Sequence, residues 1–471
     1  MWKHTLRRVS IVATVLTIIA NVYIFTYPSL HPARCSWHCS NNGTNDEVPA
    51  TTFEKFVFYT NRYIKDVKLQ WTSKERSDHD TNDIHILAYG DPQIKGIWSS
   101  TPYRTRLDIF GNDHYLGHIA GMMQKRLNPT HIAVLGDLFS SQWIPDFEFF
   151  NRAVRFAKRL YHRDTQWLKE IERKEHDEDG KYKVDWSKWG ENFNGILNSE
   201  TKDFGFGFKD IYSWDDEEPY LFLNLTGNHD VGYSGDATYQ HMARFSEIFG
   251  KDNYWIEYDT DTDHPWRIVV LDDMLLEGPA LQPEFITYTW EFLYQLFERQ
   301  FNGSTVLMTH VPFYKKEGLC YDGPEFRYYP ENYEREPYKA NLLRSQNHLS
   351  EDVSRRVLNL IFDNDKPGVI LTGHDHEGCE TFYNKIDRNG TWVADNKVLE
   401  NSIHQIKEVT VRSMMGEFYG NAGLLTGHFN EGKLQWEWHF TLCPFTLQHA
   451  WWFAKVSLLV TGFAWSLLLV L

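Results

Sequence analysis

Five times along the chain a short apolar run ends in a polar cluster. The clusters are Gly90-Asp91-Pro92-Gln93, Gly136-Asp137-Leu138-Phe139, Gly227-Asn228-His229-Asp230, His310 and Gly373-His374-Asp375-His376. The runs before them, at 84–89, 131–135, 220–225, 305–308 and 369–371, have the length and apolar content of buried strands. In open α/β sheets the C-terminal strand ends line up along one edge, so clusters far apart in sequence converge there. A glycine ahead of the polar residue lets the backbone leave the strand sharply. Asp, Asn and His together supply donors for borderline divalent cations, and one shared carboxylate can hold two such ions about 3.5–4 Å apart. Taken singly each cluster is weak, because a strand-end Asp often caps a helix and a lone His is usually structural. Five in succession are not.

Between these runs lie further strand candidates at 267–271 and 409–412. Helical patterns fall at 113–127, 147–161, 239–249, 284–301 and 351–362. The alternation predicts a layered α/β domain over 53–445. Two stretches, 162–219 and 311–350, are too long for simple connections and read as insertions. Their aromatic residues (Trp167, Trp186, Trp189 and Trp214; Tyr321, Tyr328, Tyr329, Tyr333 and Tyr338) suit sugar rings, but packing the insertions onto the core is the favoured reading.

Both ends are apolar. Residues 9–27 carry no charge and follow Lys3, Arg7 and Arg8, the pattern of a transmembrane helix with residues 1–8 in the cytosol. A cleaved signal would have a shorter apolar core and a small-residue cleavage site, which His31-Pro32-Ala33-Arg34-Cys35 does not offer. Residues 451–471 form a second span, broken only by Lys455, which can snorkel toward the headgroups. Residues 443–449 lack the small-residue trio of a GPI-attachment signal. Two spans place everything between them in the lumen, beginning with a linker at 28–52 that is rich in Pro, Asn, Gly and Ser from residue 31 onward. Sequons stand at Asn42, Asn224, Asn302 and Asn389; Asn224 lies within an apolar run and is expected to stay bare, whereas the other three are expected to carry glycans.

The net charge of −16 argues against a nucleic-acid partner, whose phosphates need basic surface. The five cysteines include no CxxC pair, which excludes a zinc ribbon or a thioredoxin-like site. Cys320 and Cys379 either pair in an oxidising lumen or remain two thiols; spacing leaves both open.

The order Asp, Asp, Asn-His, His, His-x-His resembles the calcineurin-like metallophosphoesterases over about residues 83–430. That resemblance implies a four-layer α-β-β-α sandwich with two central mixed sheets, here with a transmembrane helix at each end. It implies that Asp91 and His376 bind one metal, that Asp137 bridges both, and that Asn228, His310 and His374 complete the second. His229 would be the catalytic acid. Two positions depart from the family pattern. Gln93 stands where a histidine is usual, so this metal would receive an amide oxygen or a water, which favours Mn²⁺ over Zn²⁺. Ser140 stands where an acid often orients the catalytic histidine.

Gly-Asp-Pro-Gln, a lumenal domain and two anchors together resemble the branch, in its fungal form, that removes ethanolamine phosphate from the glycan of GPI-anchored proteins in the endoplasmic reticulum. The resemblance implies a metal-dependent phosphodiesterase acting on a mannose, taken as the second one, with cargo receptors as further partners. His229 would protonate the departing mannose oxygen. Asp322, Glu325 or Glu331 could receive the substrate's ammonium. The alternatives are a lumenal phosphomonoesterase or nucleotide hydrolase, and a non-catalytic binding module on the same fold. A membrane metal-homeostasis protein would need intramembrane acids, which neither span has.

Overall fold

A computed structural model describes residues 2–37, 48–72, 83–208 and 218–471. Two large mixed sheets lie at its centre. The first has the spatial order Gln435–Pro444, Asn421–Asn430, Ile84–Tyr89, His131–Val134 and Leu221–Asn224. The second has eight strands, in which Trp266–Val270, Ser304–Met308, Gly368–Thr372 and His404–Thr410 run parallel in that order.

Strand alternation explains the layers. Ile84, Ile86 and Ala88 share a buried cluster with Val306, Met308, Val369 and Leu371, so these faces form the core between the sheets. Their neighbours Leu87, Tyr89, Leu307 and Ile370 join the other cluster, with helical residues such as Leu116, Ile119, Phe292 and Val357. Strands buried on both faces cannot show an apolar–polar alternation, which is why their sequences read as continuous apolar runs. Because Ile84–Tyr89, His131–Val134 and Leu221–Asn224 are mutually parallel, their C-terminal ends open on the same edge.

The terminal helices, Trp2–Leu30 and Gln448–Val470, are each long and apolar enough to cross a membrane. They lie side by side, with Thr17 Oγ1 3.0 Å from Thr461 Oγ1 and the Trp465 indole donating to Thr14 Oγ1 at 2.8 Å. A disulfide joins Cys35 to Cys443 just beyond them.

The linker reading of 28–52 needs correction at its start. Residues 28–30 finish the first helix, and Trp37 is buried, stacked 4.5 Å from the His85 ring and donating to the Leu127 carbonyl at 2.9 Å. Arg126, fully buried, donates to Ser29 and to the Cys35 carbonyl, which anchors the same segment. Residues 38–47, and with them Asn42, lie outside the described residues, as does Trp214. Absent from the sequence reading are the amphipathic helix Thr52–Thr72, the strand Cys379–Lys385 with its edge neighbour Trp392–Asp395, and the hairpin Asn421–Asn430 with Gln435–Pro444. The helix expected from 113 starts at Tyr103, directly after Pro102.

The two insertions differ. In the first, Trp189 stacks on Phe193, which packs against Tyr239, Phe285 and Tyr288, so these aromatics serve the core. The second forms the hairpin Phe326–Tyr328 with Leu343–Gln346 and is tied by a Cys320–Cys379 disulfide to the strand that follows His376. It reaches the polar strand ends through the Gln346 carbonyl, 3.1 Å from His374 Nε2.

Candidate metal centre

The first two clusters leave their strands through backbone conformations that side chains rarely adopt. Asp91, Gln93 and Asp137 all have positive φ, at 46°, 41° and 50°, and His374 has 71°. Such geometry costs about 1–3 kcal/mol per residue and persists where the surrounding structure enforces it, commonly at functional sites. The preceding glycines are sterically required. A Cβ on Gly136 would meet His310 Nδ1 at 2.4 Å, and one on Gly227 would meet the Asp137 amide nitrogen at 2.0 Å. Close approach of three loops is what brings the side chains together.

Oxygen or nitrogen atoms of Asp91, Asp137 and His376 lie within 4.8 Å of one another. Asp91 Oδ2 is buried with no hydrogen-bond partner, while Oδ1 accepts from the His374 amide at 3.2 Å. Asn228 Oδ1 lies 3.1 Å from both His310 Nε2 and His374 Nδ1, and His310 Nε2 lies 3.4 Å from Asp137 Oδ1. All six predicted ligands thus converge, in two groups that meet at Asp137.

The outer partners decide which ring nitrogens carry hydrogen. A carbonyl can only accept, so His310 Nδ1, 2.8 Å from the Leu135 carbonyl, is the protonated nitrogen, and Nε2 turns a lone pair inward. His374 Nε2, 3.1 Å from the Gln346 carbonyl, leaves Nδ1 bare in the same way. Burial lowers the pKa of all three imidazoles; His374 falls to about 3 through burial and then His310. They are neutral at neutral pH. Lone pairs of His310, His374 and Asn228 therefore face one another with no hydrogen between them, an arrangement that a cation relieves.

The carboxylates point the same way. Burial, reinforced by the Asp137 charge, pushes Asp91 well above the usual carboxylate range, and a divalent ion would reverse that. Burial would raise Asp137 too, but the imidazoles of His310 and His229 hold it below its ordinary value. The donor set and the orphaned Asp91 oxygen fit divalent cations.

His229 stands apart from the lone-pair cluster. Its amide donates to Asp137 Oδ1 at 2.8 Å, its Nε2 is 3.8 Å from Asp137 Oδ2, and its side chain is 38% exposed, facing whatever enters. Gln93 departs from the amide-oxygen expectation: its side-chain nitrogen donates to Asp137 Oδ2 at 2.9 Å and lies 3.2 Å from His376 Nε2. The oxygen could reach a cation only after the amide turns over. Ser140 bonds Arg152 at 3.2 Å.

Asp230 was missed as a positioning residue. Fully buried, it accepts from the amides of Leu138 and Phe139 at 3.1 Å each and of Gly227 at 3.0 Å, locking the Asp137 loop to the Asn228 loop. Asp273 likewise accepts from the Val311 amide at 3.1 Å, beside His310, and burial raises its carboxyl to about 7. The signal for Asp230 was its place directly after His229 in the Gly227-Asn228-His229-Asp230 cluster.

No family model matches the chain. It is 59% identical over 478 residues to Protein TED1 of Saccharomyces cerevisiae, covering 100% of both chains. It is 24% identical over 181 residues to Metallophosphoesterase 1 of Danio rerio, covering 34% of this chain and 43% of that one. Among solved structures, a putative 5'-nucleotidase from Staphylococcus aureus aligns with a TM-score of 0.32 at 12% identity, over 78% of this chain and 55% of its own. With a relative matched from end to end, and with the motifs of the sequence gathered at the C-terminal strand ends of two facing sheets rather than along the edge of one, the chain belongs to the calcineurin-like metallophosphoesterases, the metal-dependent phosphoester hydrolases, alongside Protein TED1.

Proposed function

We propose that the chain is a two-metal phosphodiesterase that removes an ethanolamine-phosphate branch from a mannose of the GPI-anchor glycan. On this reading it sits in the endoplasmic reticulum membrane with its domain lumenal, and its action licenses GPI-anchored proteins for export. The observation that carries the chemistry is the cluster of inward lone pairs around Asp137 and the unpartnered Asp91 oxygen. Asp91, Asp137 and His376 would hold one ion and Asp137, Asn228, His310 and His374 the other, with Mn²⁺ the expected metal. Bound there, the ions supply an activated water and neutralise phosphoryl charge.

The chain's own groups do the rest. His229, half-exposed beside Asp137, holds the proton that the mannose oxygen needs as it leaves. Leu135 and Gln346 carbonyls fix the tautomers of His310 and His374. Of the three acids considered for the ammonium, Glu325 already pairs with Arg327 at 2.9 Å, and Glu331 is exposed. Asp322 is the better candidate. Burial and then Asp375 raise its carboxyl, a penalty on the charged form that an incoming ammonium would offset.

Lumenal placement is supported by the two terminal helices and by two disulfides, which persist in oxidising compartments. The branch assignment is tested by mass spectrometry of GPI glycans from cells lacking this chain. Retention of an additional ethanolamine phosphate on one mannose is expected; an unchanged glycan profile would remove the GPI substrate. Hydrolysis of paired mono- and diesters by the purified Mn²⁺-loaded chain separates this reading from a phosphomonoesterase or nucleotide hydrolase.

A further inference from the structure

The helix Tyr103–Leu127 lies across the ends of both terminal helices. Gly111 is so close to the Trp452 ring that a Cβ there would meet it at 1.7 Å, and the Tyr115 hydroxyl donates to the Thr446 carbonyl at 2.8 Å. His118 lies 3.1 Å from the Ile24 carbonyl and packs edge-on against Phe25 at 4.8 Å. At 3.6 residues per turn, Tyr103, Leu107 and Phe110 form a row within about a quarter turn of Gly111 and His118. That row is largely exposed: Tyr103 is 82% exposed, Leu107 48% and Phe110 47%, the Phe110 ring being flanked by His114 and Arg159. Trp98, 39% exposed, is held beside it because the Arg106 guanidinium donates to the carbonyls of Trp98, Ser99 and Thr101 at 2.7–2.9 Å.

Single exposed apolar residues are ordinary, but a row at helical spacing that continues the apolar surface of two spans is not. We infer that Trp98, Tyr103, Leu107 and Phe110 form a membrane-contact surface resting at the boundary of lipid headgroups and acyl chains. Aromatic rings favour that depth, and the exposed Arg104, next to Tyr103 on the helix, suits headgroup phosphates. The inference rests on the terminal helices being spans.

The surface also bears on the metal centre. Trp98 follows Gln93 on one short loop. On the other side, Phe418 packs against the His376 ring at 4.9 Å, in a turn whose Gly416 abuts Gln448 at the start of the C-terminal helix. The centre is thereby held against the bilayer, where a phosphoester borne by a lipid-anchored molecule would reach it.

The test reconstitutes the full chain in phosphatidylcholine nanodiscs containing a phospholipid with a diazirine high on one acyl chain. Photolabelling should place adducts on peptides covering 98–110 as well as on both terminal helices. Adducts on the terminal helices alone would overturn the contact surface and leave the spans standing, and adducts on neither would overturn the spans themselves. As a second measure, Leu107→Glu combined with Phe110→Glu should cut turnover of a vesicle-held phosphodiester about tenfold, or about 1.4 kcal/mol, and spare a soluble diester. An unchanged ratio of the two activities would also overturn the inference.

Discussion

His310 Nε2 lies 3.4 Å from Asp137 Oδ1 while the opposite nitrogen of the same ring is committed to the Leu135 carbonyl. Asp137 is thus approached by one histidine of the second group and, through its other oxygen, by Gln93 of the first. Asp137→Asn removes the one carboxylate that both proposed ions share, so the variant should lose both metals and all measurable turnover. Metal analysis of the purified variant checks this, and two retained ions with normal turnover would refute the shared-ligand role.

His229 makes a different prediction. Its ring contributes nothing to the lone-pair cluster, so His229→Ala should keep its metals while turnover falls by about 10²–10⁴, the range for losing a general acid. A substrate with a good leaving group, which needs no proton, should recover most of the loss. A variant that sheds metal would reassign His229 as a ligand.

The metal loops were legible because each is a local pattern, a strand ending in a donor residue, with glycine ahead of it at every loop but that of His310; the facing of two sheets was not, and it is needed, since Asp91, Asp137 and Asn228 follow strands of one sheet and His310 and His374 strands of the other. Asp230 was not legible, because its worth lies in reaching the amides of Leu138 and Phe139 from a distant loop. Nor was the Cys35–Cys443 bond, since spacing does not encode connectivity. The hairpin Asn421–Asn430 with Gln435–Pro444 is not a continuous apolar run like the central strands; its signal is alternation, Trp436, Trp438, Phe440 and Leu442 with Glu437, His439 and Thr441 between them.

Asp230→Ala tests the locking role. Three buried amides would lose their acceptor, at about 1–3 kcal/mol for each donor left unsatisfied. The variant should unfold at a clearly lower temperature and bind metal more weakly although Asp230 is not itself a proposed ligand. Unchanged melting and metal affinity would reduce it to a bystander.

Acid should destabilise the domain through buried histidines outside the metal centre. His241 is pushed down to about 3 by burial and then by Arg244, and His131 to about 4 by burial. Both are neutral when folded and titrate near 6.5 when unfolded. Above pH 6.5 neither state takes up the proton; below it only the unfolded state does, so stability is lost as pH falls from 6.5 towards 4 for His131 and towards 3 for His241. Each contributes up to about 1.4 kcal/mol per pH unit in its window. Denaturation of His241→Gln across pH 4–7 should show a shallower slope than the parent, and an identical slope would exclude His241 as a source.

Topology governs which substrates are within reach, and the sequons report it. Asn302 and Asn389 are exposed outside regular strands, whereas Asn224 is 5% exposed within the strand Leu221–Asn224, between sheet and neighbours. If both terminal helices span, the domain is lumenal, and Asn302 and Asn389 should carry glycans, with Asn42 a third acceptor before the domain. Asn224 should remain bare because a glycan there would have to displace the strand from the core. The Cys35–Cys443 bond should be found intact in the same preparation, since a cytosolic domain would be kept reduced. Endoglycosidase treatment of single Asn→Gln variants, with free-thiol labelling of the parent, measures both at once. A chain with no mobility shift and with Cys35 and Cys443 freely labelled would place the domain in the cytosol, beyond the reach of any GPI glycan.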